Sequence, residues 1–295
     1  MAVGVSANIF LDMLRSLVNL LFYGHFWIAA AALAMTVQTH LLLQGIWHWS
    51  ALDGFITSGT LTIYALHRLV ALRMLGEGHQ GRRFEIMKTY RWHIIAYAGI
   101  AAVISAYFYW QLPTFLKLSL LVPNLIALGY VLPLLNGRRL RDLPYLKIFL
   151  IALAWAWITV IAPAQSAGIT IDRSVLMMAL ERACFIFAIT IPFDIRDLFQ
   201  DQEAAVSTLP GQWGILQAKY IALGSLFLMM ILVFLNYWLG IYDLSVFFAL
   251  IFSALTSGVF IWKATPEKHD YYFTGLLDGT MIIQLLLVLL FINLF

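Results

Sequence analysis

The sequence predicts an all-α, polytopic membrane protein: one bundle of nine transmembrane helices with the N-terminus in the cytoplasm. Three observations predict it. Of 295 residues, 62% are apolar and only 11% charged, with a mean hydropathy of +0.87, far outside the composition of soluble domains. The apolar residues run in nearly continuous stretches rather than alternating, which favours helices over a membrane barrel. Basic residues are concentrated in alternate loops, the pattern that sets membrane topology. At about 20 residues per span, roughly 183 apolar residues fill about nine spans and leave no room for a separate soluble domain. Residues 1–295 therefore read as a single transmembrane domain.

The first 16 residues hold Asp12 and Arg15 but lack a basic segment followed by a short apolar core and a small-residue cleavage site, so no removable signal is expected. Apolar stretches then place spans 1 to 9 at 17–43, 52–72, 93–111, 115–135, 146–169, 174–193, 217–239, 244–262 and 271–295. With the N-terminus inside, Arg15 is inside. So are Arg68, Arg73, Arg82, Arg83, Lys88 and Arg91 after span 2, and Arg138, Arg139, Arg141 and Lys147 after span 4. Arg196, Lys219, Lys263 and Lys268 follow spans 6 and 8, for a total of 15 inside against only Lys117 and Arg173 outside. This asymmetry orients the bundle and puts the Phe295 end outside. The expectation is an integral multi-pass protein, of a bacterial inner membrane in the first instance.

A formal charge of +3 implies no polyanion-binding surface, so nucleic acid is not expected as a partner. The single cysteine, Cys184, excludes an intrachain disulfide, a multi-thiolate metal site and an iron–sulfur cluster. No solenoid repeat or proline-rich linker interrupts the bundle. The long polar loops 73–92 and 194–216 both face the cytoplasm under this topology, and chemistry is expected there.

Span 6 runs into Asp194-Ile-Arg-Asp197-Leu-Phe-Gln-Asp201. At about 100° per residue, positions 194, 197 and 201 fall near 0°, 300° and 340°, so a continued helix would carry all three carboxylates on one face at the membrane boundary. Such a cluster suits Mg²⁺, which takes one or two carboxylates and completes its shell with phosphate oxygens. A solvated helix end is the plainer alternative. Arg82, Arg83, Arg138, Arg139 and Arg141 lie on the same side, and guanidinium groups match phosphate geometry, although each taken singly also serves topology and headgroup contact.

The run from Asp194 to Asp201, followed by Thr208-Leu-Pro-Gly211, resembles the second aspartate-rich motif of UbiA-type intramembrane prenyltransferases. Tyr130-Val-Leu-Pro133 with the basic run Arg138-Arg139-Leu-Arg141 is similar to that family's tyrosine and proline signature after span 4, and nine spans with the N-terminus inside agree with it. The resemblance covers essentially the whole chain. It implies transfer of an isoprenyl group from a prenyl diphosphate to an aromatic or lipid acceptor within the bilayer. Two aspartate-rich motifs, after spans 2 and 6, would hold Mg²⁺ ions that neutralise the departing diphosphate, while a dry aromatic interior shields the allylic cation.

The first of those motifs is absent. Span 2 ends in Thr62-Ile-Tyr64-Ala-Leu-His67-Arg68, with no carboxylate between Asp53 and Glu77. His67 and Arg68 stand in its place, either as membrane anchors or with Arg68 substituting a fixed cation for a bound one. In the second motif, Gln202 and Ser207 stand where relatives often carry basic residues. The expected site is therefore Asp194, Asp197 and Asp201 for Mg²⁺ and catalysis, with His67, Arg68, Tyr130, Arg138 and Arg139 on the substrate. A UbiA-like lipid-binding or assembly protein with impaired catalysis is the alternative reading, and a small-molecule transporter a more distant one.

Three further ionisable residues lie inside spans: Glu181 and Arg182 in span 6 and Asp278 in span 9. Charge in lipid is costly unless paired, so all three are expected to face the interior. They are expected to form one structural polar cluster around Arg182, about 18 Å along the helix from Asp194.

Overall fold

The computed structural model describes residues 16–75, 82–133, 139–204 and 206–294. Among them are nine helices long and apolar enough to cross a membrane, and no strand. Spans 1 to 5 are Phe26–Gln44, Ala51–Arg73, Arg91–Gln111, Thr114–Val131 and Leu146–Ser166. Spans 6 to 9 are Arg173–Arg196, Ile215–Trp238, Leu244–Lys263 and Tyr272–Leu294. Each lies within about ten residues of its hydropathy-based bounds, most within three. A helix satisfies its own backbone groups in lipid, so long apolar runs adopt it with little competition.

Consecutive spans pack side by side, 1 on 2, then 4 on 5, 5 on 6, 6 on 7, 7 on 8 and 8 on 9, and span 9 returns to span 1, so the bundle closes into a ring. Span 2 bridges to span 4, while span 3 packs on the outside of span 2. That contact is close because Gly54 lies under the Phe108 ring, where a Cβ would come within 2.5 Å.

At the end away from the long loops, spans 1, 5 and 6 meet through polar groups. Pro163 has no N–H to offer the Thr159 carbonyl, and the helix widens into a π-helical turn over Trp157–Ile161. The freed Thr159 carbonyl accepts a hydrogen bond from Thr39 Oγ1 at 2.5 Å. Arg182 donates to the Met35 carbonyl (3.1 Å) and to Thr159 Oγ1 (3.2 Å). Beside it, Glu181 accepts from Asn236 Nδ2 (3.2 Å) and the Tyr242 hydroxyl (3.0 Å). Glu181 and Arg182 thus form the structural cluster expected of them.

Asp278 does not join that cluster, contrary to expectation. It lies only six residues, about 9 Å, into span 9 from the loop-bearing end, whereas Glu181 is fifteen residues, about 22 Å, from the same end of span 6. The two carboxylates sit at different depths. Asp278 instead lines the central cavity.

Candidate active site

Span 6 does not continue as one helix through its acidic stretch. It ends at Arg196, breaks at Asp197 (φ −88°, ψ 8°), and a short helix, Leu198–Glu203, follows. The three aspartates differ in their contacts. Asp194, 1% exposed, is ion-paired with Lys147 Nζ of span 5 at 2.6 Å. The same ammonium lies 3.5 Å from Asp201. Asp197 is gripped by its neighbour Arg196, with Nε 2.8 Å from Oδ1 and Nη2 2.9 Å from Oδ2. The Arg196 guanidinium also stacks over the rings of Phe193 and Phe273, at 5.0 and 5.5 Å. Among the described residues no group of three His, Cys, Asp or Glu side chains converges as a metal site.

A cavity of about 840 Å³ opens inside the ring at the loop-bearing end. Its mouth places Asp197 and Asp201 on the same lining as His67, Arg68, Tyr130 and Arg139. Six of the residues read from the sequence are thereby brought to one space. Asp194 sits behind that wall, beside a small void that it shares with Arg141, Lys147 and Thr208. Arg138 lies outside the described residues. Deeper in, the lining turns apolar and aromatic, with Trp27, Tyr64, Trp155, Ile186, Phe193 and Met281.

Residues 139–143, before span 5, pack back on span 4. Leu140 packs against Gly129, where a Cβ would meet it at 2.6 Å. That contact orients Arg139 and Arg141, which turn to different partners. Asp142 accepts from Arg139 Nε (3.1 Å) and Nη2 (2.9 Å) and from its backbone N–H (3.0 Å), a closed local pair. Arg141 instead reaches across to His67 Nε2 and stacks over the Tyr130 ring at 5.5 Å. Arg68 donates to His25 Nε2 (3.2 Å) and to the Met87 sulfur (3.1 Å).

Electrostatics follow from these contacts. Burial pushes the Asp201 carboxyl above the usual carboxylate range, against the pull of Lys147, and the nearby Asp197 and Asp194 add to the rise. Burial disfavours the Arg141 cation, but Tyr130, Asp197, Asp201 and Asp142 outweigh it and hold the group above its ordinary value. Asp142 is also disfavoured by burial, yet its bonds to Arg139 bring it below the usual range. The mouth is therefore a mixed-charge site: a carboxylate pair facing guanidinium groups, with an apolar chamber beneath.

The sequence offers Lys147 only as a topology-setting cation, and Arg141 as one of several arginines matched to phosphate or to headgroups. Only spatial proximity shows their site contacts: Lys147 meets carboxylates 47 and 54 residues later in the chain, and Arg141 meets a histidine 74 residues earlier.

No protein-family model matches the sequence, and no curated protein matches it. Solved structures do. A UbiA homologue from Archaeoglobus fulgidus bound to GPP and Mg²⁺ is similar at a TM-score of 0.68 and 13% identity, over 93% of this chain and 99% of that one. The same homologue bound to DMAPP and Mg²⁺ gives 0.58 at 12% identity, over 96% and 99%. A digeranylgeranylglyceryl phosphate synthase gives 0.57 at 13% identity, over 91% and 96%. This chain has the fold of the UbiA homologues.

Proposed function

We propose that the protein is an intramembrane prenyltransferase that takes a prenyl diphosphate donor at the cavity mouth and passes its isoprenyl group to a hydrophobic acceptor. The observation that carries this reading is the two-part cavity. A charged mouth suits a diphosphate, and the aromatic and aliphatic chamber below suits an isoprenoid tail; the volume lies within the range of small-ligand pockets. The shared fold with homologues bound to GPP and DMAPP supports it. The excess of basic residues at this end supports a mouth at the cytoplasmic face.

The residues fit Mg²⁺ in one specific way. Asp197 and Asp201 face the cavity, and Mg²⁺ commonly takes one or two carboxylates with the remaining oxygens from phosphate and water. In this reading Asp194 is not a metal ligand but the anchor that fixes Lys147. When bound, Mg²⁺ supplies charge neutralisation for the leaving diphosphate. Arg68, Arg139 and Arg141 supply the rest from the opposite wall, where the cavity-lining carboxylate Asp142 is already held by Arg139. Trp155, Tyr64 and Phe193 keep water from the allylic carbon as its bond to oxygen breaks.

A second reading has one specific observation behind it: each of Asp194, Asp197 and Asp201 already has a cation in contact, which suits a diphosphate-lipid binder without turnover. One experiment separates the two. Purified protein is incubated with radiolabelled prenyl diphosphates of several lengths and with membrane extract, in Mg²⁺ or in EDTA. Labelled product that appears only with Mg²⁺ is expected. Tight donor binding with no product after long incubation would establish the binder instead, and neither binding nor product would end both readings.

A further inference from the structure

Glu181 and Asp278 lie inside spans at different depths, and they are treated differently. Glu181 is closed off by Asn236 and Tyr242. Asp278 lines the cavity, and among the described residues it makes neither a hydrogen bond nor an ion pair in direct contact. Its electrostatic neighbours are Tyr64 and Arg196, and Arg196 is already committed to Asp197 and to two aromatic rings. A carboxylate left without a bonded partner in a membrane interior is costly, and marks a functional position by default.

The backbone presents it deliberately. Tyr272–Leu277, the turn just before Asp278, is π-helical. Trp27 Nε1 of span 1 donates to the Gly275 carbonyl inside that turn (3.0 Å), and the Tyr272 hydroxyl donates to the Phe260 carbonyl (2.5 Å). Widened turns of this kind recur at functional sites, where they re-aim a side chain. The other cavity residues of span 9 and the facing part of span 6 are Thr274, Met281, Ile189, Thr190 and Phe193. None is cationic, and Arg196 at the end of span 6, which also lines the cavity, is already held by Asp197, so this part of the chamber offers little to compensate a second negative charge.

We propose that Asp278 is the catalytic residue that binds and deprotonates the acceptor, and that the acceptor is a neutral molecule presenting a hydroxyl group rather than one bearing a carboxylate or phosphate. This rests on the prenyltransferase reading above. A carboxylate oxygen accepts an O–H hydrogen bond and so aims the hydroxyl oxygen, whereas a negatively charged acceptor would meet like charge in low dielectric. In the reaction the allylic carbon–oxygen bond of the donor breaks and its electron pair leaves with the diphosphate. The acceptor oxygen forms the new carbon–oxygen bond, its proton passes to the Asp278 carboxylate, and that proton later leaves through the cavity mouth. The products are a prenyl ether, diphosphate and one proton.

The test uses purified full-length protein, radiolabelled GPP, Mg²⁺ and native membrane extract separated by anion exchange into neutral and anionic pools. Wild type is expected to label the neutral pool. Asp278→Asn is expected to lower that transfer about 100-fold or more, the usual contribution of a positioned base, while GPP affinity stays within about twofold. Asp278→Glu, which keeps the carboxylate, should retain at least a tenth of wild-type transfer and guards against a folding defect in the first variant. Labelling confined to the anionic pool overturns the proposal, as does unimpaired transfer by Asp278→Asn, loss of GPP binding in both variants, or wild type that binds GPP and labels neither pool. Wild type that does not bind GPP at all defeats the prenyltransferase reading itself, a distinct result.

Discussion

On the span 6 wall of the cavity mouth each carboxylate has a cation in contact, Lys147 against Asp194 and Asp201 and Arg196 against Asp197. On the facing wall Arg141 leans on a histidine and an aromatic ring, and among the described residues it makes no ion pair. Burying a guanidinium without a contacting carboxylate is expensive. Its cost is offset at a distance by the field of Asp197, Asp201 and Asp142. The difference teaches how a bundle with no carboxylate between Asp53 and Glu77 can still present positive charge at its cavity mouth. The acidic wall is internally neutralised, and the basic wall holds the positive charge that an arriving anion would meet.

The comparison is most easily broken at the acidic wall. Asp197→Asn with Asp201→Asn is expected to lower Mg²⁺-dependent turnover about 10³-fold or more, some 4 kcal/mol of lost charge stabilisation, in a product-formation assay. Unchanged turnover in the purified double variant would remove these residues from the metal site. Next in size, Lys147→Met strands Asp194 as a buried charge and should cost about 3 kcal/mol in thermal unfolding. Adding Asp194→Leu should return most of it; no return would mean that the pair is not the anchor described here.

The basic wall is sharpened by Arg141→Met, expected to cut kcat/KM about 30- to 100-fold through loss of a charged hydrogen bond to the donor. Arg141→Lys should recover only part of this, since an ammonium lacks the planar fork. The smallest effect belongs to Asp142. Its carboxyl is held below the ordinary range by Arg139, so its contribution is complete above the unfolded value near 3.9 and fades as pH falls through the lower folded value. The pair is partly exposed, so Asp142→Asn should cost at most about 1 kcal/mol at pH 7, and the gap between wild-type and variant melting temperatures should narrow as pH falls below about 4. A gap that does not narrow would assign the loss to packing.

The membrane spans were legible because hydropathy is local: residues 93–111 and 244–262 read from the sequence became Arg91–Gln111 and Leu244–Lys263. Their order around the ring was not, since every span offers an apolar surface to any other. At the site, His67, Arg68, Tyr130, Arg139, Asp197 and Asp201 were found from their place at span ends, and all line the cavity. Lys147 was hidden because a cation at a span boundary is sufficiently explained by topology. Helical spacing carried past Arg196 puts Asp194 on one face with Asp197 and Asp201, whereas it sits behind the cavity wall against Lys147. Asp278 was paired with the wrong neighbours because residue number alone does not convey depth across antiparallel helices.

The polar seal between spans 1, 5 and 6 has a consequence for what the chamber can hold. Arg182 and Thr159 lie about one turn beyond Ile186 and Trp155, the deepest lining residues on their helices, and Met35 about two turns beyond Ile28, and the three are fastened to one another by hydrogen bonds. They act as a fixed end-stop. From Asp197 to Ile186 the run along span 6 is about 16 Å, so a ligand chain longer than that has to bend within the chamber rather than run straight on past the seal.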